Sequence, residues 1–341
     1  MDMSNFSVFA MTWGTQPLTH TEAIDLACHA EDLGFHSITL PQVPVFPAGF
    51  LFSKIPPQYD QYQHDILVLL PMMVQATSRI RIGFNCAVAP WAHPFLWAKY
   101  MASLDVASDG RLIAGFGAGG TGGRMKDGKP FNQVLDSFGI NSRKRGKMTD
   151  EAMELVTKLW TADGPVSHNG EFFQAVDLIV APKPVQKPYP ELWYAGGQTG
   201  PGSLPGTRRA ARYGTQLQIP WPGENEIRDV IVPQLAAANA EWNGNAELGL
   251  LLNAAVRPEG APSYEDSCAL YPHYKELKHP NDEAGTVVVG TPEQCAQAIQ
   301  RCHNAGAAHF VLDFHRHGLD SADVFRAEMQ CFAEQVFPLL L

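Results

Sequence analysis

Hydrophobic and polar positions along the chain switch repeatedly between a two-residue and a three-to-four-residue period. Residues 6–13 (FSVFAMTW) read as a first strand. The period then changes, and Ala23, Leu26, Ala27, Ala30 and Leu33 share one helical face. Thr19 and Glu22 have the spacing of a capping box ahead of that helix, and Gly34 ends it. Residues 35–40 (FHSITL) read as the next strand. A Pro- and aromatic-rich insertion, 41–64, separates it from a helix at about 65–77. Ile80, Ile82 and Phe84 then alternate with Arg81, Gly83 and Asn85 in a strand over 79–85, which breaks off into Asn85-Cys86, small residues, Trp91 and His93.

The same switching continues to the end. A helix at about 94–108 leads to a strand over 111–119, a Gly-rich loop over 120–137 and an amphipathic helix over 149–160. Strands follow over 191–197, 215–220 and 248–256, with a short helix over 206–214 between the first two. Thr291-Pro292-Glu293-Gln294 has the pattern of a capped helix start, Gly306 closes that helix, and 308–314 is the last strand before a closing helix over 321–340. Eight strands, mostly each followed by a helix and with no linker-like break, favour one (β/α)₈ barrel with insertions in its βα loops over residues 1–341. A doubly wound sheet in two domains is the structural alternative. In a barrel, function gathers at the carboxyl ends of the strands, which directs attention to Thr12-Trp13, Pro41-Gln42, Asn85 to His93, the 115–123 loop, 195–207, 218–222 with Trp221, Arg257 and 313–317.

Composition narrows the classes. With 341 residues, 45% of them hydrophobic and 18% charged, the chain can bury a large core. Its formal charge of −10 and single tight basic run, RKRGK at 143–147, argue against a nucleic-acid groove. Six scattered cysteines without a C-x-x-C pair support neither a disulfide framework nor a zinc site, and free thiols fit a cytoplasmic location. The longest apolar run, 66–74, is too short to span a membrane, and the first residues lack the basic start of a signal peptide.

Three clusters could carry chemistry. The glycine-rich stretch 194–207 (YAGGQTGPGSLPGT) joins a strand to a helix, so it is either a phosphate cradle of backbone N–H groups or simply a loop. His315 and His317, beside Asp313 and Arg316, have no third ligand at helical spacing, which points to a substrate rim rather than a metal. Trp13, Trp91 and Trp221, with Phe46, Phe50, Phe52 and Phe131, stand near strand ends and suggest the roof of an apolar pocket.

Three blocks, 78–119 (R-I-R-I-G, then H-P, then S-D-G-R-L-x-x-G-x-G-x-G), 138–197 and 287–312, closely resemble the bacterial luciferase-like superfamily of flavin and deazaflavin oxidoreductases. The resemblance implies a (β/α)₈ barrel binding reduced FMN supplied by a separate flavin reductase. It implies a monooxygenase that uses O₂ on a small, largely apolar substrate. It places a non-prolyl cis peptide between Asn85 and Cys86, where the Asn85–Cys86–Ala87 backbone meets the flavin ring, and the phosphate at Gly196-Gly197 with Gln198 and Thr199 as donors. Arg145 matches a family arginine that either closes over the phosphate or pairs with Glu151. Members often dimerise through barrel helices.

Two positions depart from the family pattern. Its second strand often ends in an acidic residue and His; here Pro41 and Gln42 stand there, and Gln42 can donate a hydrogen bond but cannot titrate. A general acid would then come from His315 or His317. The 120–137 loop lacks the G-W-x-x-x-E pattern of many deazaflavin-dependent relatives, which ranks a deazaflavin hydride-transfer enzyme second. A non-catalytic flavin-binding subunit is a third reading.

Overall fold

Alternating burial explains why the strands close on themselves. A computed structural model describes residues 1–12, 17–44, 64–119, 132–196, 204–256, 287–314 and 321–341. Its strands, in chain order, are β1 (Phe6–Phe9), β2 (Ser37–Leu40), β3 (Arg81–Val88), β4 (Leu112–Gly117), β5 (Val166–Asn169), β6 (Gln174–Leu178), β7 (Glu191–Ala195), β8 (Gln216–Pro220), β9 (Glu247–Val256), β10 (Val287–Gly290) and β11 (His309–Asp313). Eight of them form a closed parallel barrel in the order β1-β2-β3-β4-β7-β8-β9-β11, and β11 returns to pair with β1 through Phe6↔Phe310. Outward residues such as Val8, Ile38, Phe84, Phe116, Tyr194, Leu217, Leu250 and Leu312 pack into the main core with the helices. Inward residues Phe9, Met11, Ile113, Trp193 and Val311 form a separate cluster that fills the lumen.

The helices form where the pattern places them. In α1 (His20–Asp32) the Thr19 hydroxyl accepts from the Glu22 N–H and the Glu22 carboxylate accepts from the Thr19 N–H, and a second box holds Thr291 and Gln294 before the helix Pro292–Asn304. The structure also departs from the sequence expectation. β3 runs on to Val88 rather than stopping at Asn85, because it bulges there instead of ending. The helix expected over 149–160 spans Arg145–Thr161. The hairpin β5–β6, the strand β10 and the helical stretch from Glu224 to Trp242 were not expected. β10 pairs with β9 from Asn253 onward, beyond the last residue that β8 pairs.

A polar plug closes the amino-terminal mouth of the barrel. Arg81 meets Glu191 at 2.8 Å, and the Trp193 indole donates to the same carboxylate at 2.7 Å. Beside them Ser37 donates to Ser7 Oγ at 2.7 Å, and Ser7 Oγ lies 2.7 Å from His309 Nε2. With Ser37 donating, the Ser7 hydrogen goes to Nε2, so the ring is held neutral. Burial, and behind it the His36 charge, push His309 down to about 3. Below 6.5 the unfolded chain binds a proton that the native ring refuses, so stability is full above that pH and declines toward 3. The expected slope is about 1.4 kcal/mol per pH unit from this one residue. His309→Gln is therefore expected to remove about that much of the slope of urea-unfolding stability between about pH 6 and pH 5, leaving the part due to His29, His36, His64 and His93, which burial also lowers; the window lies above the range in which Glu31, lowered to about 2, begins to protonate. An unchanged slope would show that the ring is charged in the native plug.

Candidate functional site

At the carboxyl mouth the residues that matter are those on the inward positions of the strand ends. Following the register round the barrel, the uppermost inward ring contains Met11, Gly117, Pro220, Asn253 and Asp313, with Asn85, Ala195, Gln218 and Leu251 in the ring beneath. The Asn85–Cys86 peptide bond is cis and non-prolyl, at the bond the sequence resemblance marked. Around it the β3–β4 register slips: Phe84 faces Ala114, yet Ala87 faces Phe116, so β3 spends one extra residue. Gly115 makes this possible, since a Cβ there would overlap the Phe84 carbonyl oxygen and lie 3.1 Å from Asn85 Cα. Burial raises the Cys86 thiol to about 11, so it presents a neutral S–H at neutral pH.

The bulge is braced from two sides, by Gln42 and by Gln218. Gln42 donates its backbone N–H to the Cys86 carbonyl at 3.3 Å, its Nε2 reaches Asp65 at 3.3 Å, and its Oε1 accepts from the Ile66 N–H at 3.4 Å. Asp65 in turn caps α2 (Ile66–Ala76) by accepting from the Leu67 N–H at 2.7 Å. Both ends of the Gln42 amide are thus spent on tying the bulge to α2, which makes Gln42 a brace. Across the lumen, Asn85 Nδ2 donates to Gln218 Oε1 at 3.4 Å, and Gln218 Nε2 donates to Gln216 Oε1. Gly249 leaves room for that stack, because a Cβ there would overlap Gln218 Nε2 and lie 2.8 Å from Gln216 Oε1.

A second feature lies where β7 ends. The helix α6 (Leu204–Tyr213) approaches so closely that a Cβ on Gly206 would stand 2.8 Å from the Ala195 carbonyl oxygen and 2.9 Å from Gly196 Cα. Gly196 itself is held by its N–H on the Gln218 carbonyl at 2.9 Å. Arg145, at the start of α5 (Arg145–Thr161), is half-buried and donates to the carbonyls of Gly119 at 3.0 Å and Ser142 at 2.5 Å. It makes no ion pair among the described residues. Desolvation, and then the neighbouring Arg209 charge, lower its pKa. The alternative pairing with Glu151 is corrected: that carboxylate accepts from the N–H groups of Phe172 at 3.0 Å and Phe173 at 2.7 Å and faces His168 at 3.2 Å. Arg209 is neutralised by Asp150 at 2.6 Å and also donates to the Gly146 carbonyl at 3.1 Å.

The remaining candidates divide. Trp91 packs just past the end of β3, against the Val88–Leu135–Ile140 cluster and 6.2 Å from the Phe138 ring. Trp221 sits at the top of β8 with φ of 50°, a left-handed conformation unusual for a bulky residue, and its N–H is tied to the Leu251 carbonyl at 3.0 Å. Trp13, Gly197, Gln198, Thr199, His315 and His317 lie outside the described residues, as do Phe46, Phe50, Phe52 and Phe131. Sequence reasoning gave no role to Gln216, Gln218, Asn253 or Gly115, although Gln218 and Gly115 fall inside the strand-end ranges 218–222 and 115–123 that it marked. The first three carried a usable signal, a polar residue at an inward position of an otherwise apolar strand. Among the described residues no group of three His, Cys, Asp or Glu side chains could hold a metal, and no helix is long and apolar enough to cross a membrane.

This geometry can be set beside known proteins. The profile of the luciferase-like monooxygenase family matches residues 3–309. An FMNH₂-dependent dimethylsulfone monooxygenase of Pseudomonas putida is 24% identical over 309 residues, covering 82% of this chain and 79% of the relative. Among solved structures, the monooxygenase RslO1 of Streptomyces bottropensis superposes with a TM-score of 0.76 at 19% identity, covering 99% of both chains. An F420-dependent secondary alcohol dehydrogenase, solved with an F420–acetone adduct, superposes with a TM-score of 0.75 at 20% identity, covering the whole of both chains.

Proposed function

Because the chain belongs to the luciferase-like monooxygenase family, we propose that it is the oxygenase component of a two-component system, an enzyme that receives reduced FMN from a separate reductase and oxygenates a small organic molecule with O₂. The observation that carries this reading is the pairing of a cis-bulged β3 with a glycine-lined helix start two strands away. The residues fit a flavin mononucleotide. Gly206 lets the amino end of α6 pack directly on Ala195 and Gly196, where a Cβ would clash, and this close approach brings the helix's first N–H groups and its dipole to the end of β7, where they favour a phosphate. Arg145 supplies a cation that has only carbonyl partners among the described residues. The Asn85–Cys86–Ala87 backbone, held by Gln42 and Gln218, offers a rigid support for a flat ring. When bound, reduced FMN supplies the two electrons that put one oxygen atom of O₂ into the substrate and release the other as water.

The protein's own part is orientation and dryness. Gln42 and the Gln216–Gln218–Asn85 chain fix the bulge, and the neutral Cys86 thiol keeps a charge out of the site. Substrates of the relatives are not carried over, since a dimethylsulfone oxygenase and an alcohol dehydrogenase share the scaffold. The F420-dependent neighbour gives the second reading, a deazaflavin hydride-transfer enzyme. Stopped-flow mixing of the purified chain and reduced FMN with O₂ separates the two. The expected result is flavin reoxidation that is slowed relative to free reduced FMN. Reoxidation indistinguishable from free flavin, together with tight binding of the deazaflavin alone, would replace the first reading by the second.

A further inference from the structure

Asn253 stands at the carboxyl mouth on β9, four strands from β3 in either direction round the barrel and therefore on the wall opposite the cis bulge. Its side chain has no exposed surface, and neither Nδ2 nor Oδ1 has a hydrogen-bond partner. Its neighbour in register across the β9–β11 ladder, Asp313, is also fully buried and inward, yet does not satisfy Nδ2. A buried amide that leaves both a donor and an acceptor unmet is destabilising and rare in native proteins. The amides of Gln42, Asn85 and Gln218 near this mouth, and of Gln216 beneath them, all have protein partners, so among these amides the orphan is specific to Asn253.

We propose that Asn253 recognises the substrate: its carboxamide receives the polar end of the molecule to be oxygenated, a neutral group that sets a hydrogen-bond acceptor beside a donor, as a carboxamide or lactam does. This rests on the flavin reading above. A flavin reaching from the start of α6 at β7 to the bulge of β3 occupies one side of the mouth and leaves the β9–β11 wall to the substrate. Nδ2 then donates to the substrate carbonyl and Oδ1 accepts from its N–H, meeting both orphans at once. A site built in this way rejects an isostere lacking those groups far more strongly than an apolar pocket discriminates by size. The expected substrate is thus less apolar than the aromatic strand ends alone suggest.

The test uses the full chain, with and without saturating FMN, and three probes of one shape: benzamide, acetophenone and isopropenylbenzene. Dissociation constants are read by ligand-observed NMR titration. Wild type is expected to prefer benzamide to isopropenylbenzene by about tenfold or more, with acetophenone between, and Asn253→Leu to remove that preference. The ligand-free melting temperature of Asn253→Leu is expected to hold or rise by about 1–3 °C, because two unmet polar groups leave the interior. Asn253→Ser, smaller and still polar, is expected to retain part of the preference and guards against a variant that fails to fold. No preference in wild type, an unchanged preference in Asn253→Leu, or a clear fall in its melting temperature would overturn the proposal, the last by revealing a protein partner. A wild-type chain that binds no flavin would instead overturn the oxygenase reading, and the FMN titration tells the two failures apart.

Discussion

Gly115→Ala is expected to lower stability by about 2–3 kcal/mol and to remove most of the affinity for FMN. The added methyl has nowhere to go: it would overlap the Phe84 carbonyl oxygen and press on Asn85 Cα, both backbone atoms of the neighbouring strand. Side-chain rotation cannot relieve such a clash, so either β3 moves away from β4 or the bulge between Phe84 and Ala87 is lost. Both outcomes displace the backbone proposed to support the flavin. Gly164→Ala is the control, because nothing stands within 4 Å of its Cβ position and its φ is not in the left-handed range. Urea unfolding gives the first quantity and fluorescence titration of FMN the second. A Gly115→Ala protein that loses stability but keeps full FMN affinity would separate the bulge from flavin binding.

The same residue shows where the sequence was legible and where it was not. The local pattern revealed all eight barrel strands, six of them to within two residues of their bounds, and two capping boxes located helix starts to the residue, because both signals are local. A bulge is not local. Asn85-Cys86 reads as the end of a strand because the extra residue shifts the alternation, and only the partner strand, with its glycine opposite, shows that pairing resumes at Ala87. The hairpin β5–β6 escaped for a different reason: only Val166 and Ala175 are buried in it while the larger Val176 and Leu178 are exposed, so its apolar residues do not mark its buried face. Gln216, Gln218 and Asn253 stand among apolar neighbours, and a period of two says that they share a face without saying that this face is the lumen. Closure of the barrel decides that, and closure depends on β1 meeting β11 from opposite ends of the chain.

Arg145→Ala is expected to weaken FMN binding by about 30- to 150-fold while leaving riboflavin, which lacks the phosphate, nearly unchanged. The magnitude is that of one lost charge-assisted contact of about 2–3 kcal/mol. Two arginines border this corner, and their environments divide the roles. Arg209 is buried and its charge is met by Asp150 at 2.6 Å, so its removal strands a carboxylate and loosens α6 against α5. Arg145 holds its position through the carbonyls of Gly119 and Ser142, which orient a guanidinium without neutralising it. Desolvation and the Arg209 charge both disfavour its protonated form, and an arriving dianion offsets both. The guanidinium is only partly buried, so the effect is also expected to shrink in high salt. Titrating wild type and Arg145→Ala with FMN and with riboflavin, at low and high ionic strength, isolates the phosphate contribution as the change in their ratio. Equal losses for both flavins would instead assign Arg145 to the fold of the Gly119 loop, and the phosphate would have to be held by the start of α6 alone.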